Sequence, residues 1–421
     1  MMTKRQNSRL FLWWRILTGL LFLVYLQPTR SQGIFNPVDL LEGRKKVIIP
    51  FTYTHNFIIL EARMYGLIPI RLIFDTGSDH VILFKREYTD LLGVEYDKRI
   101  QVMGSDLSRE LYALIARNGL LEVKGLSPRK QDFLILEESY FELDEMIGLP
   151  VAGLIGGSFF RNLVVNIDYR KRKLTIYDPA HFKVPHDFVT IPSLLKTNKP
   201  YITCATTMHD GSQVELDLLV DTGAGIPLLL HTNSHSAIHL PEQYIRGQLG
   251  MGLGGYLEGY TGRTEKLSLG EFDISSILTS FQDINPTWLS DKDKFRHGIV
   301  GNALLSRFNL YIDYTHGQLH LKPTRDLPEP FSMDRSGLVI FAYGLELDQY
   351  IVKSVLENSP AADAGILEDD LLVSLRGIPV KYYTLEGIHR VFQKKSGKKI
   401  RMVIDRSGQK LRKEIMLRDL I

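Results

Sequence analysis

The chain has 421 residues, 44% of them apolar and 24% charged. That length and balance suit two or three globular domains and exclude a disordered, collagenous or low-complexity polypeptide. The formal charge is only +3, and five of the 51 basic residues crowd into the first 33 positions without an acidic one. The remainder carries 46 basic against 48 acidic residues, so nothing in the charge calls for nucleic acid.

The N-terminus opens with Lys4, Arg5 and Arg9, continues into an apolar run of 11 residues (16–26), and reaches Ser31 and Gly33. A positive start, a short apolar run and small residues are the order of a secretory signal peptide, expected over residues 1–33. The run is shorter than the roughly 20 residues a bilayer span needs. A retained anchor reaching back to Leu10 is the alternative, but it would enclose Arg15. Export to a bacterial periplasm or the extracellular space is expected, without membrane attachment after cleavage. Cys204 is the single cysteine, so no intramolecular disulfide can form. It lies in a strand pattern with no local His and reads as a core residue. After residue 33 there is no Asn-x-Ser/Thr acceptor with a permitted middle residue, which suits a bacterial envelope.

Residues 56–74 read as alternating strands and run into Asp75-Thr76-Gly77, followed by more apolar residues. A glycine-bearing polar stretch containing Gly104 suits a mobile hairpin. "GLIGGSFFRNLVVNIDYRKRKL" then begins at Gly153. The same parts recur. Strands over 201–220 lead to Asp221-Thr222-Gly223, 146 residues after the first turn. A second hairpin stretch holds Gly252, Gly254 and Gly255, and "GIVGNALLSRFNLYIDYTHGQL" begins at Gly298. The two quoted segments align without a gap over 22 positions, so the chain contains two copies of a unit of about 145 residues. Asp168 and Asp313, in the two Ile-Asp-Tyr repeats, precede hairpin turns and read as turn braces. No metal-ligand spacing appears, and no metal or other cofactor is expected.

Residues 322–337 are polar and Pro-containing and read as a linker. Beyond them comes a strand over 350–356. Ser359-Pro360 through Gly365 follows, with the N-cap, first-turn Pro and terminal Gly of a short helix. A second helix is expected from Thr384 and a closing hairpin at Arg406-Ser407-Gly408.

The paired D-T-G turns, each with an apolar-apolar-Gly partner at matched spacing, resemble the aspartic peptidases of the pepsin and retropepsin type over roughly residues 45–325. The "SPAADAGI" and "DDLLVSLRGIPV" stretches resemble a bacterial protease-associated PDZ domain. The implied fold is mainly β: two tandem retropepsin-like β-barrel lobes (34–190 and 191–325) in a bilobal acid-protease arrangement, then a PDZ domain (326–421) built as a β-sandwich with two helices.

The resemblance implies an aspartic endopeptidase in which Asp75 and Asp221 share the catalytic role. Two adjacent carboxyls cannot both ionise easily, so the pair holds one proton and supplies both a base for water and an acid for the substrate carbonyl. Aspartic proteases are the standard illustration of this split titration. The Thr76 and Thr222 hydroxyls are implied to bond across the lobe junction. Gly77 and Gly223 are expected to allow close approach and positive φ. Ser78 could bond the Asp75 carboxylate, whereas Ala224 at the matching position cannot. Asp79 is expected to face solvent. Gly104, Gly252, Gly254 and Gly255 are flap positions, the second hairpin being the better candidate. Ser336, Gly337 and Leu338 form the expected carboxylate loop of the PDZ domain. The implied partners are an extended polypeptide substrate and peptide C-termini. The rival reading is a non-catalytic peptide-binding envelope protein.

Overall fold

The computed structural model describes residues 39–103, 110–138, 142–196, 198–252, 255–284 and 296–421; the expected signal segment, residues 1–33, lies outside them. The described residues are mainly β. None of their helices is long and apolar enough to cross a membrane.

Two eight-stranded sheets repeat one topology. The first runs Thr52–Thr54, Phe57–Met64, Ile68–Asp75, Gly153–Gly156, Val81–Leu83, Arg129–Leu136, Glu110–Val123, Lys98–Met103. The second runs Leu194–Lys196, Lys199–Thr207, Gln213–Asp221, Gly298–Gly301, Leu228–His231, Phe272–Gln282, Gly255–Leu269, Ile245–Gly252. In each, the second strand of this order also pairs with the seventh, curling the sheet on itself. Strand for strand the two orders correspond, as the internal repeat requires.

The strands that end in Asp are central. Leu72, Ile73 and Phe74 are all buried, as are Leu218, Leu219 and Val220. Continuous apolar runs belong where a strand is covered on both faces. Each of these strands pairs in parallel with a glycine-bounded strand, placing Asp75 opposite Gly156 and Asp221 opposite Gly301. The glycines are steric necessities. A Cβ on Gly153 would lie 2.0 Å from the Ile82 carbonyl oxygen, and one on Gly301 2.0 Å from that of Ile226. The chain after each D-T-G turn crosses there, and only glycine leaves room.

A six-stranded antiparallel sheet joins the copies, in the order Lys46–Pro50, Lys173–Tyr177, Val164–Asp168, Phe308–Asp313, Gln318–Pro323, Val189–Pro192. At its centre Val164 pairs with Asp313 and Ile167 with Leu310, so equivalent strands of the two copies lie side by side. Asp168 accepts the Lys171 N–H, and Asp313 accepts those of Thr315 and His316, which is the turn-bracing role expected for both. Cys204 is a buried core residue.

The C-terminal unit has its own core, including Ile340, Val352, Leu372, Ile388, Phe392 and Ile404. Its strands lie in the order Leu338–Tyr343, Gln349–Val355, Leu371–Leu375, Lys399–Arg406, Gln409–Met416, with Ile378–Pro379 paired to the third. Two helices, Pro360–Asp363 and Leu385–Phe392, start at Ser359 and Thr384, whose hydroxyls accept backbone N–H groups three residues on. Gly365 and the Ser407-Gly408 pair adopt positive φ, as a helix end and a tight hairpin demand.

The segment before this unit departs from the expectation of a plain linker. Phe331 is buried beneath the Arg307 guanidinium, 3.4 Å from its ring centroid. Arg307 also donates to the carbonyls of Leu327 and Glu329. A cation over an aromatic face and two backbone bonds tie the segment to the second half.

Candidate active site

Asp75 and Asp221 end equivalent strands, and the two turns that follow are interlocked. The Thr76 hydroxyl donates to the Val220 carbonyl (2.6 Å) and accepts the Thr222 N–H (3.0 Å). The Thr222 hydroxyl donates to the Phe74 carbonyl (2.7 Å) and accepts the Thr76 N–H (3.1 Å). Both threonines are fully buried. Four reciprocal bonds thus join the two halves directly behind the carboxyls, in the manner the resemblance implies.

The carboxyls are held in matching ways. Gly77 N–H donates to one Asp75 oxygen and Gly223 N–H to one Asp221 oxygen, each at 2.7 Å. Each glycine also faces the opposite acid. A Cβ on Gly77 would lie 2.6 Å from the Asp221 carboxyl carbon, and one on Gly223 2.4 Å from that of Asp75. Close approach is therefore the reason for glycine here. Positive φ is not, because neither residue adopts it, which corrects that part of the sequence expectation.

Burial pushes the Asp75 carboxyl well above the ordinary carboxylate range; the Asp221 charge and the hydrogen bond between the acids push it further. Gly77 N–H and the Lys199 ammonium oppose the shift. The two carboxyls thus lie close together between the paired turns.

Two neighbours differ from expectation. The Ser78 hydroxyl lies 3.3 Å from both the N–H and the carbonyl of His80, donating to the carbonyl. It braces its own turn instead of the Asp75 carboxylate. Asp79 is turned from solvent toward Lys199, 3.8 Å away, with only 20% of its side chain exposed. Lys199 comes from the second copy, so no local sequence signal pointed to it.

Further residues gather round the pair. Asn56 donates to the Gly225 carbonyl (2.8 Å), tying the first copy to the turn after Asp221. Tyr169 and Tyr314, the tyrosines of the repeats, are both buried but differ in partner. Tyr169 donates to Asn302 at 2.5 Å. The Tyr314 hydroxyl lies against Gly157, the counterpart of Asn302, with burial and the Asp75 and Asp79 charges disfavouring its ionisation. The repeat was the available signal for these tyrosines, since aligning the copies pairs Gly157 with Asn302.

Of the positions expected to form flaps, Gly252 and Gly255 face each other at the end of the pairing between Ile245–Gly252 and Gly255–Leu269. Gly104 and Gly254 lie outside the described residues. Among the described residues no group of three or more His, Cys, Asp or Glu side chains could hold a metal.

The loop at Ser336, Gly337 and Leu338 lies at the start of an edge strand, with Gly337 at φ 77°. Its three N–H groups are engaged by the chain itself. One Asp334 oxygen accepts those of Ser336 (2.8 Å) and Gly337 (2.9 Å), and the Ser336 hydroxyl accepts that of Leu338 (3.1 Å).

Comparison with protein families identifies a PDZ domain at residues 351–406. No curated protein matches the chain.

Proposed function

We propose that this chain is an exported aspartic-type endopeptidase, with the D-T-G halves as peptidase lobes and the PDZ domain as its peptide-recognition module. The observation that carries this reading is the acid pair: two carboxyls from duplicated turns, face to face, with Asp75 held above the usual carboxylate range by burial and by Asp221.

In the proposed reaction Asp75 and Asp221 hold one proton between them. The ionised carboxyl of the pair takes a proton from a bound water as the water oxygen attacks the scissile carbonyl carbon, and the protonated one gives its proton to the carbonyl oxygen. Collapse of the tetrahedral intermediate breaks the C–N bond; the proton taken from water passes to the leaving nitrogen, and one hydroxyl proton of the intermediate returns to the other carboxyl, restoring the singly protonated pair. The nucleophile is water, so no cofactor enters. Polypeptide in extended form is the substrate class, and the hairpin carrying Gly252, Gly254 and Gly255 is the flap in this reading.

Asp75→Asn and Asp221→Asn should each abolish hydrolysis of a peptide library. Neither should be much milder than the double variant, because the acids act as one unit. A statine-type mimic should block the wild type, its hydroxyl standing where the attacking water would be. Near-full activity in either single variant would overturn the shared pair. A wild-type chain that binds peptides without cutting them would support the second reading, a non-catalytic peptide-binding envelope protein, which the PDZ domain favours.

A further inference from the structure

PDZ domains take an extended peptide as an added strand along one edge strand, between it and a helix, with the terminal carboxylate on loop N–H groups. Here those elements are the edge strand Leu338–Tyr343, the helix Leu385–Phe392 and the loop at 336–338. Each is engaged by this chain. The loop N–H groups belong to Asp334 and Ser336. The Ile340 carbonyl, on the edge strand, lies 3.3 Å from His389 Nε2 on the helix.

The space between strand and helix is also entered from the first half. The helix Leu143–Ile147 packs on the edge strand. Gly148, which ends that helix at φ 71°, sits between the two PDZ elements. A Cβ there would lie 3.1 Å from Leu385 Cβ on one side and 3.9 Å from Ala342 Cβ on the other. Ala342 and Leu385 are both buried. At the margins His55 Nε2 meets His389 Nδ1 at 3.1 Å, and Glu142 pairs with Lys353 at 2.6 Å.

We propose that the PDZ groove is held shut in cis: residues 142–148 of the first half are its resident ligand, and an extended peptide with a free C-terminal carboxylate binds only by displacing them. The contact adjoins the acid pair. A Cβ on Gly225, four residues after Asp221, would lie 3.1 Å from the His55 carbonyl oxygen, and Asn56 holds the Gly225 carbonyl. The same unit also reaches the hairpin of the second half, where a Cβ on Gly247 would lie 3.6 Å from Leu356. The latch rests on the PDZ assignment and not on peptide hydrolysis.

The test uses the full chain. Lys353→Glu places two acids in contact at the margin, and Glu142→Lys/Lys353→Glu restores an opposite pair. Gly148→Val drives a side chain between Ala342 and Leu385. Amide hydrogen exchange over residues 338–343 and 142–148 reads the docking whether or not the chain cuts peptides. Both segments should exchange at least tenfold faster in K353E and G148V, return toward wild type in the double charge swap, and leave residues 164–168 unchanged as a check on folding.

A pool of labelled random octapeptides with free carboxylates, read by fluorescence anisotropy, should bind K353E at least tenfold more tightly than wild type. The amidated pool should gain less. Equal binding of the free-acid pool by wild type and K353E, or wild-type exchange over 338–343 as fast as in the variants, would overturn the latch.

Discussion

Thr222→Val tests the joint between the two halves without touching a carboxyl. Valine keeps the shape of threonine but removes a hydroxyl that donates to the Phe74 carbonyl and accepts the Thr76 N–H. Both stranded partners are backbone groups at a fully buried site. An unsatisfied buried donor or acceptor costs about 1–3 kcal/mol, so the variant should lose about 2–6 kcal/mol, with about 3 kcal/mol as the central value after local relaxation. That is a large share of the roughly 5–15 kcal/mol that holds an ordinary domain folded. Thr222→Ser keeps both bonds and gives up one methyl group, which should cost about 1 kcal/mol. Thr76→Val should resemble Thr222→Val, because its hydroxyl makes the reciprocal pair of bonds. The double variant should fall short of the sum, since the two pairs of bonds lie in one contact between the same turns. Urea unfolding at pH 7, followed by far-ultraviolet circular dichroism, measures all four. If T222V lay within about 0.5 kcal/mol of wild type, or matched T222S, the buried bonds would not carry the joint and the reasoning would fail.

Acid should weaken the fold through His55. Burial and the neighbouring His389 depress its pKa from 6.5 to about 3. Between those values the unfolded chain takes up a proton that the folded chain refuses, so stability is full above pH 6.5 and falls as pH drops, by up to about 1.4 kcal/mol per unit from this group. His55→Phe should flatten that slope in urea titrations at pH 4, 5, 6 and 7; an unchanged slope would remove His55 from the account. Gly301→Ala places a methyl group 2.0 Å from the Ile226 carbonyl oxygen and should prevent folding or cost at least about 3 kcal/mol. Gly211→Ala, with open space around it but φ 82°, should cost only about 1 kcal/mol; equal melting temperatures for the two variants would refute the crossing-chain explanation.

Much of the architecture is written in local rules. The repeated D-T-G and apolar-apolar-Gly segments announced two copies of one unit, and two sheets with the same strand order result. Ser359, Thr384, Gly365 and the Ser407-Gly408 turn act where their backbone preferences put them. Asp168 and Asp313 cap turns within three residues of themselves, so their role was also legible. What the sequence left open involves partners far apart in the chain. Gly77 and Gly223 are glycine because the opposite acid lies where a Cβ would be, not because of their own φ. Asp79 faces Lys199 because the second copy folds over the first. Arg307 covers Phe331 and turns an expected linker into a packed strap. Gly148 enters the groove between Ala342 and Leu385, across roughly 200 residues of chain. Turns, caps and periodicities are properties of neighbouring residues, so sequence alone determines them. Docking depends on the complementarity of two finished surfaces, and those surfaces exist only once each unit has folded.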